Sequence, residues 1–362
     1  MKILHLVQKP QLRGAEMFAS QLGNHLMSLG HEVILVFVFP GKAELPFKGR
    51  SFQLGGNASR RMFDLSAWKK LAALIASEQP DIIQANAGDT LKYAVSSKLV
   101  FRWKQPVVFR NASTISLYIK SKAARLLHGL YFRHADKVIS VSDTSASDFI
   151  NLYPSLKSKV ITIPIGIEEI QPTINAKTSK PPYKIIHVGG FSFEKNHTGL
   201  ISIFGKLIAK GVDAHLELVG DGALMAAVRA QVAAAGLTPR VTFHGYRNNA
   251  MELIAAADVL LLPSIIEGLP GVILEAFYCK IPVVAYNVGG IREIVRNKET
   301  GYLVEKHDED AFVAAINEAL NPNDTLTGNA WKLVKSNYTN IGIARKFAAC
   351  YQQLISTQTS DN

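Results

Sequence analysis

Cysteine is nearly missing from the chain. Only Cys279 and Cys350 occur in 362 residues, so a disulfide framework or a cysteine-rich metal centre is excluded. Both sit in apolar helical contexts and are expected as buried free thiols of a reducing compartment. Long apolar runs are missing too: no stretch approaches the roughly 18 consecutive apolar residues of a membrane-spanning helix. The first residues, Met-Lys-Ile-Leu-His-Leu-Val, are too short for a secretory leader and run straight into a Gly-bearing turn. They read as a first β-strand, and the chain is expected in the cytoplasm. Metal-ligand spacing is lacking among the histidines. Asp308-Glu309-Asp310 resembles an Asp-x-Asp metal motif, but it precedes a helical run over 311–320, where acids at a helix N-terminus are expected anyway. No metal and no cofactor are therefore expected.

Acidic residues are scarce in one half only. Residues 1–180 hold 24 Lys+Arg against 12 Asp+Glu, whereas residues 181–362 hold 16 against 17. The whole basic excess thus lies in the first half. Such asymmetry points to a polyanion facing one domain, either nucleic acid or an anionic membrane surface; a basic surface that merely keeps the chain soluble is the plainer alternative. No nucleic-acid motif accompanies the charge, so nucleic acid is not an expected partner.

What is present is a folded-protein composition, 48% apolar and 19% charged, at a length beyond the roughly 250–300 residues that one core usually serves. Short β-branched runs alternate with amphipathic helical stretches, the pattern of parallel α/β sheets. Strands are expected at 3–7, 33–39, 81–85, 107–110, 137–141 and 160–163, with a helix over 15–29 that Gly30 ends. Segment 171–182 is rich in Pro, Thr, Lys and Asn and reads as a linker. The pattern then restarts at 183–188, 215–219, 241–243, 259–262, 283–286 and 302–304. Two doubly wound domains result, 1–170 and 183–338, and the last helix (340–357) is expected to join the first. Ligands are expected beyond the carboxyl ends of the strands, in a cleft between the domains.

The most informative stretch runs from Pro263 to Ala276. A buried strand ends, a short loop follows, and Pro270 suits the first turn of a helix. The N–H groups of Leu269, Gly271 and Val272 can then point at an anion, with the helix dipole favouring phosphate. Glu267 lies at the mouth of the turn and Glu275 a little over one turn into the helix. Two acids beside a phosphate site make sense where the ligand is rich in hydroxyls. The plainer alternative is an ordinary capped helix carrying solvated acids.

This segment resembles the Glu-x7-Glu motif of glycosyltransferase family 4, retaining enzymes of the two-domain GT-B fold. The match continues in order through Arg13-Gly14-Ala15-Glu16, Val188-Gly189, Glu194-Lys195-Asn196, Leu218-Val219-Gly220-Asp221-Gly222, Phe243-His244-Gly245 and Gly289-Gly290-Ile291-Arg292-Glu293. The resemblance implies a nucleotide-diphosphate-sugar donor in the second domain, with Lys195 and Glu267 as the catalytic pair. Lys195 should bind the diphosphate and Glu275 the ribose hydroxyls, while Glu267, with Gly268, Leu269, Pro270 and Gly271 behind it, should face the transferred sugar. Gly14, Ala15 and Gly189 should let backbone approach the diphosphate, since only small residues permit it. Gly245, Tyr246 and Arg247 lie where the family contacts the base.

Departures from the family pattern are specific. Gly190 stands where the family often has an arginine; Arg13, Arg247 or Arg292 could substitute. The usual Pro-Asn-Gly-x-Asp is Pro164-Ile165-Gly166-Ile167-Glu168. The first domain lacks the usual histidine after 107–109 and has Arg110-Asn111, expected to line the acceptor side; a strand-end Arg paired to a local acid is the alternative.

The activity implied is transfer of a hexose-type sugar from a UDP-sugar, or a GDP-sugar, to a lipid-linked or saccharide acceptor in bacterial polysaccharide or glycolipid assembly. A UDP-sugar epimerase and a catalytically weakened sugar-nucleotide-binding subunit are the alternatives. Residues 115–133 mix Lys120, Lys122, Arg125, His128 and Arg133 with leucines and aromatics, a candidate interfacial helix. Arg60-Arg61, Lys69-Lys70 and the 98–104 run could add to an anionic-membrane contact, giving a peripheral enzyme at the inner face of the membrane.

Overall fold

The computed structural model describes residues 1–60, 63–169 and 180–360. Two compact units form: residues 1–168 with 340–362, and residues 169–339. Of the expected linker, 171–179 lies outside the described residues.

The first unit runs β1 (Lys2–Val7), α1 (Gly14–Ser28), β2 (Glu32–Phe37), β3 (Arg50–Gln53), α2 (Leu65–Glu78), β4 (Ile82–Ala85), α3 (Gly88–Phe101), β5 (Val107–Asn111), α4 (Lys122–Arg133), β6 (Lys137–Ser140), α5 (Asp143–Leu152) and β7 (Val160–Thr162). Its seven strands are all parallel, in the order β3-β2-β1-β4-β5-β6-β7. Because helices cover both faces of a parallel sheet, its central strands are mainly apolar; Leu4, Ile34, Ile83 and Val107 are fully buried, with His5, Gln84 and Arg110 as buried polar exceptions. The sequence pattern gives no sign of β3. Arg-Ser-Phe-Gln is polar, short and mostly exposed, which suits a sheet edge and defeats a hydrophobicity reading.

The second unit runs β8 (Tyr183–Val188), α6 (His197–Ala209), β9 (Ala214–Val219), α7 (Met225–Ala234), β10 (Val241–Gly245), α8 (Ala250–Ala255), β11 (Val259–Leu262), α9 (Gly271–Tyr278), β12 (Val283–Tyr286), α10 (Ile291–Ile294), β13 (Tyr302–Val304), α11 (Glu309–Ala319) and α12 (Asp324–Asn337). Six parallel strands lie in the order β10-β9-β8-β11-β12-β13. The order reverses between β8 and β11, as it does between β1 and β4 in the first unit. At such a switch point the loops after neighbouring strands part and leave room for a ligand.

The last helix, α13 (Asn340–Ser360), belongs to the first unit. Phe347 packs on Phe18 of α1 at 6.0 Å between ring centres, and the Tyr351 hydroxyl donates to Gln84 on β4. The chain leaves and re-enters this unit side by side. Asn340 N–H donates to the Ile167 carbonyl (3.0 Å) and its side chain to Glu168 (2.9 Å). Gly166 is needed there, because a Cβ would lie 2.7 Å from the Asn340 side-chain oxygen.

Segment 115–133 is not one helix. A 3-10 turn over Ile115–Leu117 precedes α4. Ser121 separates them, its hydroxyl accepting the Ala124 N–H at 3.1 Å as an N-cap.

Candidate active site

The second unit's switch point assembles residues distant in sequence. After β8, Gly189 donates to the Val219 carbonyl (2.9 Å) and Phe191 to Asp221 (3.0 Å). Lys195 follows in a one-turn 3-10 helix ended by Asn196, whose φ is +52°. The Asn196 amide donates to the Pro263 carbonyl at 3.0 Å, so the loop after β8 is tied to the loop after β11. Ile265 N–H donates to the Glu194 carbonyl (2.8 Å) and adds a second tie.

These ties bring Lys195 onto Glu267, Nζ to Oε1, at 2.6 Å. Both are partly buried, so the contact is screened less than a surface ion pair. Glu267 is held from behind by glycine. A Cβ on Gly289, whose φ is +54°, would stand 2.0 Å from the Glu267 carbonyl oxygen, and Gly290 N–H donates to the Gly268 carbonyl at 2.8 Å.

Helix α9 begins at Gly271; Pro270 is its N-cap, one residue before the first turn expected for it. No side chain caps the helix, and the N–H groups of Leu269, Gly271 and Val272 have no hydrogen-bond partner among the described residues. Leu269 and Pro270 are buried, so they offer backbone rather than side chain. Unbonded amides with the helix dipole behind them suit an anion. Glu275 is half-buried further along α9 without a hydrogen-bond or ion-pair partner among the described residues. Burial pushes its carboxyl up to about 7. A ligand hydroxyl donating to it would offset that desolvation.

Gly220, Gly245 and Tyr246 extend the rim. Gly220 N–H donates to the Gly245 carbonyl at 2.9 Å, and a Cβ on Gly220 would meet the Gly189 carbonyl oxygen at 2.0 Å. Tyr246 and Arg247 are exposed beyond it. Gly190 is different: its Cβ would make only an ordinary contact of 3.5 Å with Asp221, so a side chain is sterically permitted there.

Sequence reasoning misses two histidines beneath Lys195. His187 Nδ1 donates to the Leu261 carbonyl at 2.8 Å, and His197 stands edge-on to it and stacks on Phe191 at 4.0 Å. Burial, the first cause for both, keeps them neutral: His187 is well below the usual range and His197 is lowered to about 4. Ten residues apart on a strand and a helix, they leave no spacing signal.

In the first unit, Gly14 and Ala15 open the first turn of α1, and Gly14 is exposed with free space around it. Arg110 is 3% exposed. Its guanidinium lies 4.1 Å over the Phe18 ring, and neither Nε nor Nη1 has a partner among the described residues. No carboxylate pairs with it at ion-pair distance among the described residues; the neighbouring Glu16 accepts from Gln11 instead, at 2.8 Å. Burial lowers the Arg110 guanidinium to about 10. Asn111 donates to Ser140 and to the Ser145 carbonyl, both at 3.3 Å, which ties β5 to the start of α5. Beyond the ends of β1 and β2 lies a cavity of about 530 Å³ lined in part by Gln8, Lys9, Arg13, Asn57 and Asp89.

In Asp308-Glu309-Asp310, Asp308 caps α11, and Glu309 and Asp310 pair with Lys206 at 3.2 and 2.9 Å.

Comparison with known proteins follows the same division. Residues 12–169 match the glycosyltransferase family 4 model, and residues 169–329 match glycosyl transferases group 1. N-acetyl-alpha-D-glucosaminyl L-malate synthase of Bacillus anthracis is 37% identical over 124 residues, covering 34% of this chain and 32% of the relative. UDP-Gal:alpha-D-GlcNAc-diphosphoundecaprenol alpha-1,3-galactosyltransferase of Escherichia coli is 26% identical over 61% of this chain and 54% of its own length. The matched regions thus span from a third to just over half of these two relatives. Among solved structures, Anabaena HepE in complex with UDP and glucose superposes with a TM-score of 0.83 at 21% identity, over 97% of this chain and 99% of that one. Sucrose-phosphate synthase of Thermosynechococcus elongatus gives 0.85 at 20% identity, over 98% and 99%.

Proposed function

The chain belongs to the family 4 glycosyltransferases of the GT-B fold, and from that premise we propose that it is a retaining hexosyltransferase using a UDP-sugar. The observation that carries this reading is the convergence on one switch point of Lys195 paired to Glu267, the unbonded N–H groups at the start of α9, and unpartnered Glu275.

The reaction breaks the bond between the anomeric carbon and the diphosphate as the acceptor oxygen bonds to that carbon, and the acceptor hydroxyl proton passes to the departing diphosphate oxygen. The main demand is to stabilise charge on the departing diphosphate. Preorganised amides and one ammonium meet it without rearranging at the moment of reaction. Lys195 is held toward the site by Glu267; as phosphate charge develops, Lys195 can share its protons with it, leaving Glu267 to accept from sugar hydroxyls. Glu275 takes the ribose hydroxyls. The neutral His187 and His197 leave Lys195 as the cation of this corner. Metal independence is part of the proposal, since Lys195 and the amides supply the positive field.

The acceptor reading is lipid-linked or saccharide, supported by the diphosphoundecaprenol in the name of the E. coli relative. Arg13, Arg110 and the cavity beyond β1 and β2 are its proposed seat in the first unit, which carries 24 Lys+Arg against 12 Asp+Glu. That excess favours an anionic membrane surface as partner.

The test is a thermal-shift screen against UDP, GDP and ADP with and without Mg²⁺, followed by transfer assays with UDP-hexoses. A ligand at 100 times its dissociation constant should stabilise the fold by about 2.7 kcal/mol. A metal-independent shift with UDP and turnover of a UDP-hexose are expected. A shift with GDP alone would overturn the donor assignment, and binding without turnover or donor hydrolysis would favour a binding subunit.

A further inference from the structure

Helix α4 exposes what an amphipathic helix usually buries. It packs inward through Gly129 and Phe132, while Leu126 is 76% exposed and Leu130 51%. Leu127 faces solvent beside them. Leu126, Leu130, Tyr153 and Leu156 line a mainly apolar cavity of about 590 Å³. That volume falls within the roughly 300–1,000 Å³ typical of small-ligand sites. Gly129 lets Tyr153 lie against the helix, since a Cβ would come within 2.9 Å of the Tyr153 ring. The Tyr153 hydroxyl donates to the Arg125 carbonyl at 3.0 Å and fixes the ring there.

The rim of this cavity is basic, carrying Lys122, Arg125 and Arg133. The Arg125 guanidinium donates to the Leu152 carbonyl from Nε and Nη2, at 3.1 and 2.5 Å, which holds its charge at the edge. Lys122 and Arg133 have no ion pair among the described residues. The sequence around the rim is basic as well: residues 90–135 hold nine Lys and Arg and no Asp or Glu, of which Arg110 is buried and Lys92 and Lys98 pair with Asp89 and Asp136. At the end of α3 within that stretch, Leu99 and Val100 are exposed as well.

A second copy of this surface would bring like charges face to face, and a polynucleotide would leave the leucines in water. Hydrocarbon beneath an anionic headgroup layer satisfies both features at once. We propose that α4 and the turn after α5 form a lipid seat, in which the cavity takes a hydrocarbon chain of an anionic phospholipid and Lys122, Arg125 and Arg133 take its phosphate. This rests on the reading that the basic first unit meets an anionic membrane, and it adds the place and the contacts; it does not depend on the sugar transferred.

The test is cosedimentation of the full chain with vesicles of phosphatidylcholine, alone or with phosphatidylglycerol. Binding is expected only with phosphatidylglycerol and should weaken with salt. Neutralising Lys122 and Arg133 should cost about fivefold per charge, from the attraction of a cation near an anionic surface. Leu126→Ser with Leu130→Ser should weaken binding by at least about tenfold, with the UDP thermal shift unchanged as the folding control. Equal binding to both vesicles, or undiminished binding of the serine variant, would overturn the seat. A wild-type chain that shifts with UDP but ignores vesicles, or forms a dimer that the serine variant dissolves, would sink the seat and leave the proposed activity standing. Vesicle binding without any nucleotide shift would do the reverse.

Discussion

Lys195 donates to Glu267 across 2.6 Å, joining two residues 72 positions apart in the loops after β8 and β11. Removing either partner strands the other in a partly buried site, so the two should not act independently. Lys195→Ala should lower transfer by about 10²–10³-fold, the scale of losing one preorganised donor to a developing negative charge. Glu267→Gln should also be slow, and the double variant should fall well short of the product of the two losses. Single-turnover rates for the four proteins check this; additive losses would mean that the pair does not work as a unit.

If Glu275 binds the donor as proposed, it gives that site a pH dependence. Its carboxyl is raised by burial to about 7, above its value in an unfolded chain, so the folded state binds the proton more tightly. The stability this adds is full below about pH 4.5 and is lost as pH rises through 7, by up to about 3 kcal/mol. Binding of ribose hydroxyls to the carboxylate runs the other way, so UDP affinity should increase between pH 6 and 8. In Glu275→Gln both trends should flatten, as urea unfolding and calorimetric titration across that range would show.

His197 has the opposite sign. Burial holds it at about 4, below its unfolded value, so its stabilisation is full above about pH 6.5 and is lost as pH falls through 4. His197→Phe, which keeps a ring against Phe191, should lessen the acid sensitivity of the second unit. An unchanged acid transition would place the sensitivity elsewhere.

Gly289 stands against the Glu267 backbone, where a Cβ would be 2.0 Å from its carbonyl oxygen at a φ of +54°. Gly289→Ala should cost about 1–3 kcal/mol and weaken donor binding by moving Glu267. Gly190→Arg, at a position with ordinary space, should fold normally and raise affinity for nucleoside diphosphates. Equal UDP affinity in wild type and both variants would contradict the site as described.

Arg110 is a buried cation whose Nε and Nη1 have no partner among the described residues, which is costly unless a ligand uses it. Arg110→Met fills similar volume without the charge and should leave stability equal or higher, by up to about 4 kcal/mol. Acceptor KM should rise while donor KM holds. If acceptor kinetics were unchanged, Arg110 would have no part in acceptor binding.

Much of the fold is legible in the sequence because burial on both faces of a parallel sheet leaves continuous apolar strands, as at Val33–Leu35 and Val259–Leu262. The turn at 267–271, the proposed anion site, is legible for a local reason: strand, loop, proline and helix follow one another without interruption. β3 is not legible, since a short polar edge strand lacks that signature. The break at Ser121 is missed as well, because amphipathic periodicity runs through it while the cap does not.

By itself, then, the sequence determined what depends on neighbours along the chain: strands, helix starts, the glycine turns and the basic excess of one unit. Tertiary structure alone decided which of these groups meet. It set Lys195 on Glu267, left Glu275 without a partner among the described residues, hid Arg110 beneath α1 and turned the leucines of α4 outward. The reason is physical. Desolvation and pairing depend on what packs around a side chain, and in a doubly wound sheet those neighbours come from loops far apart in the chain.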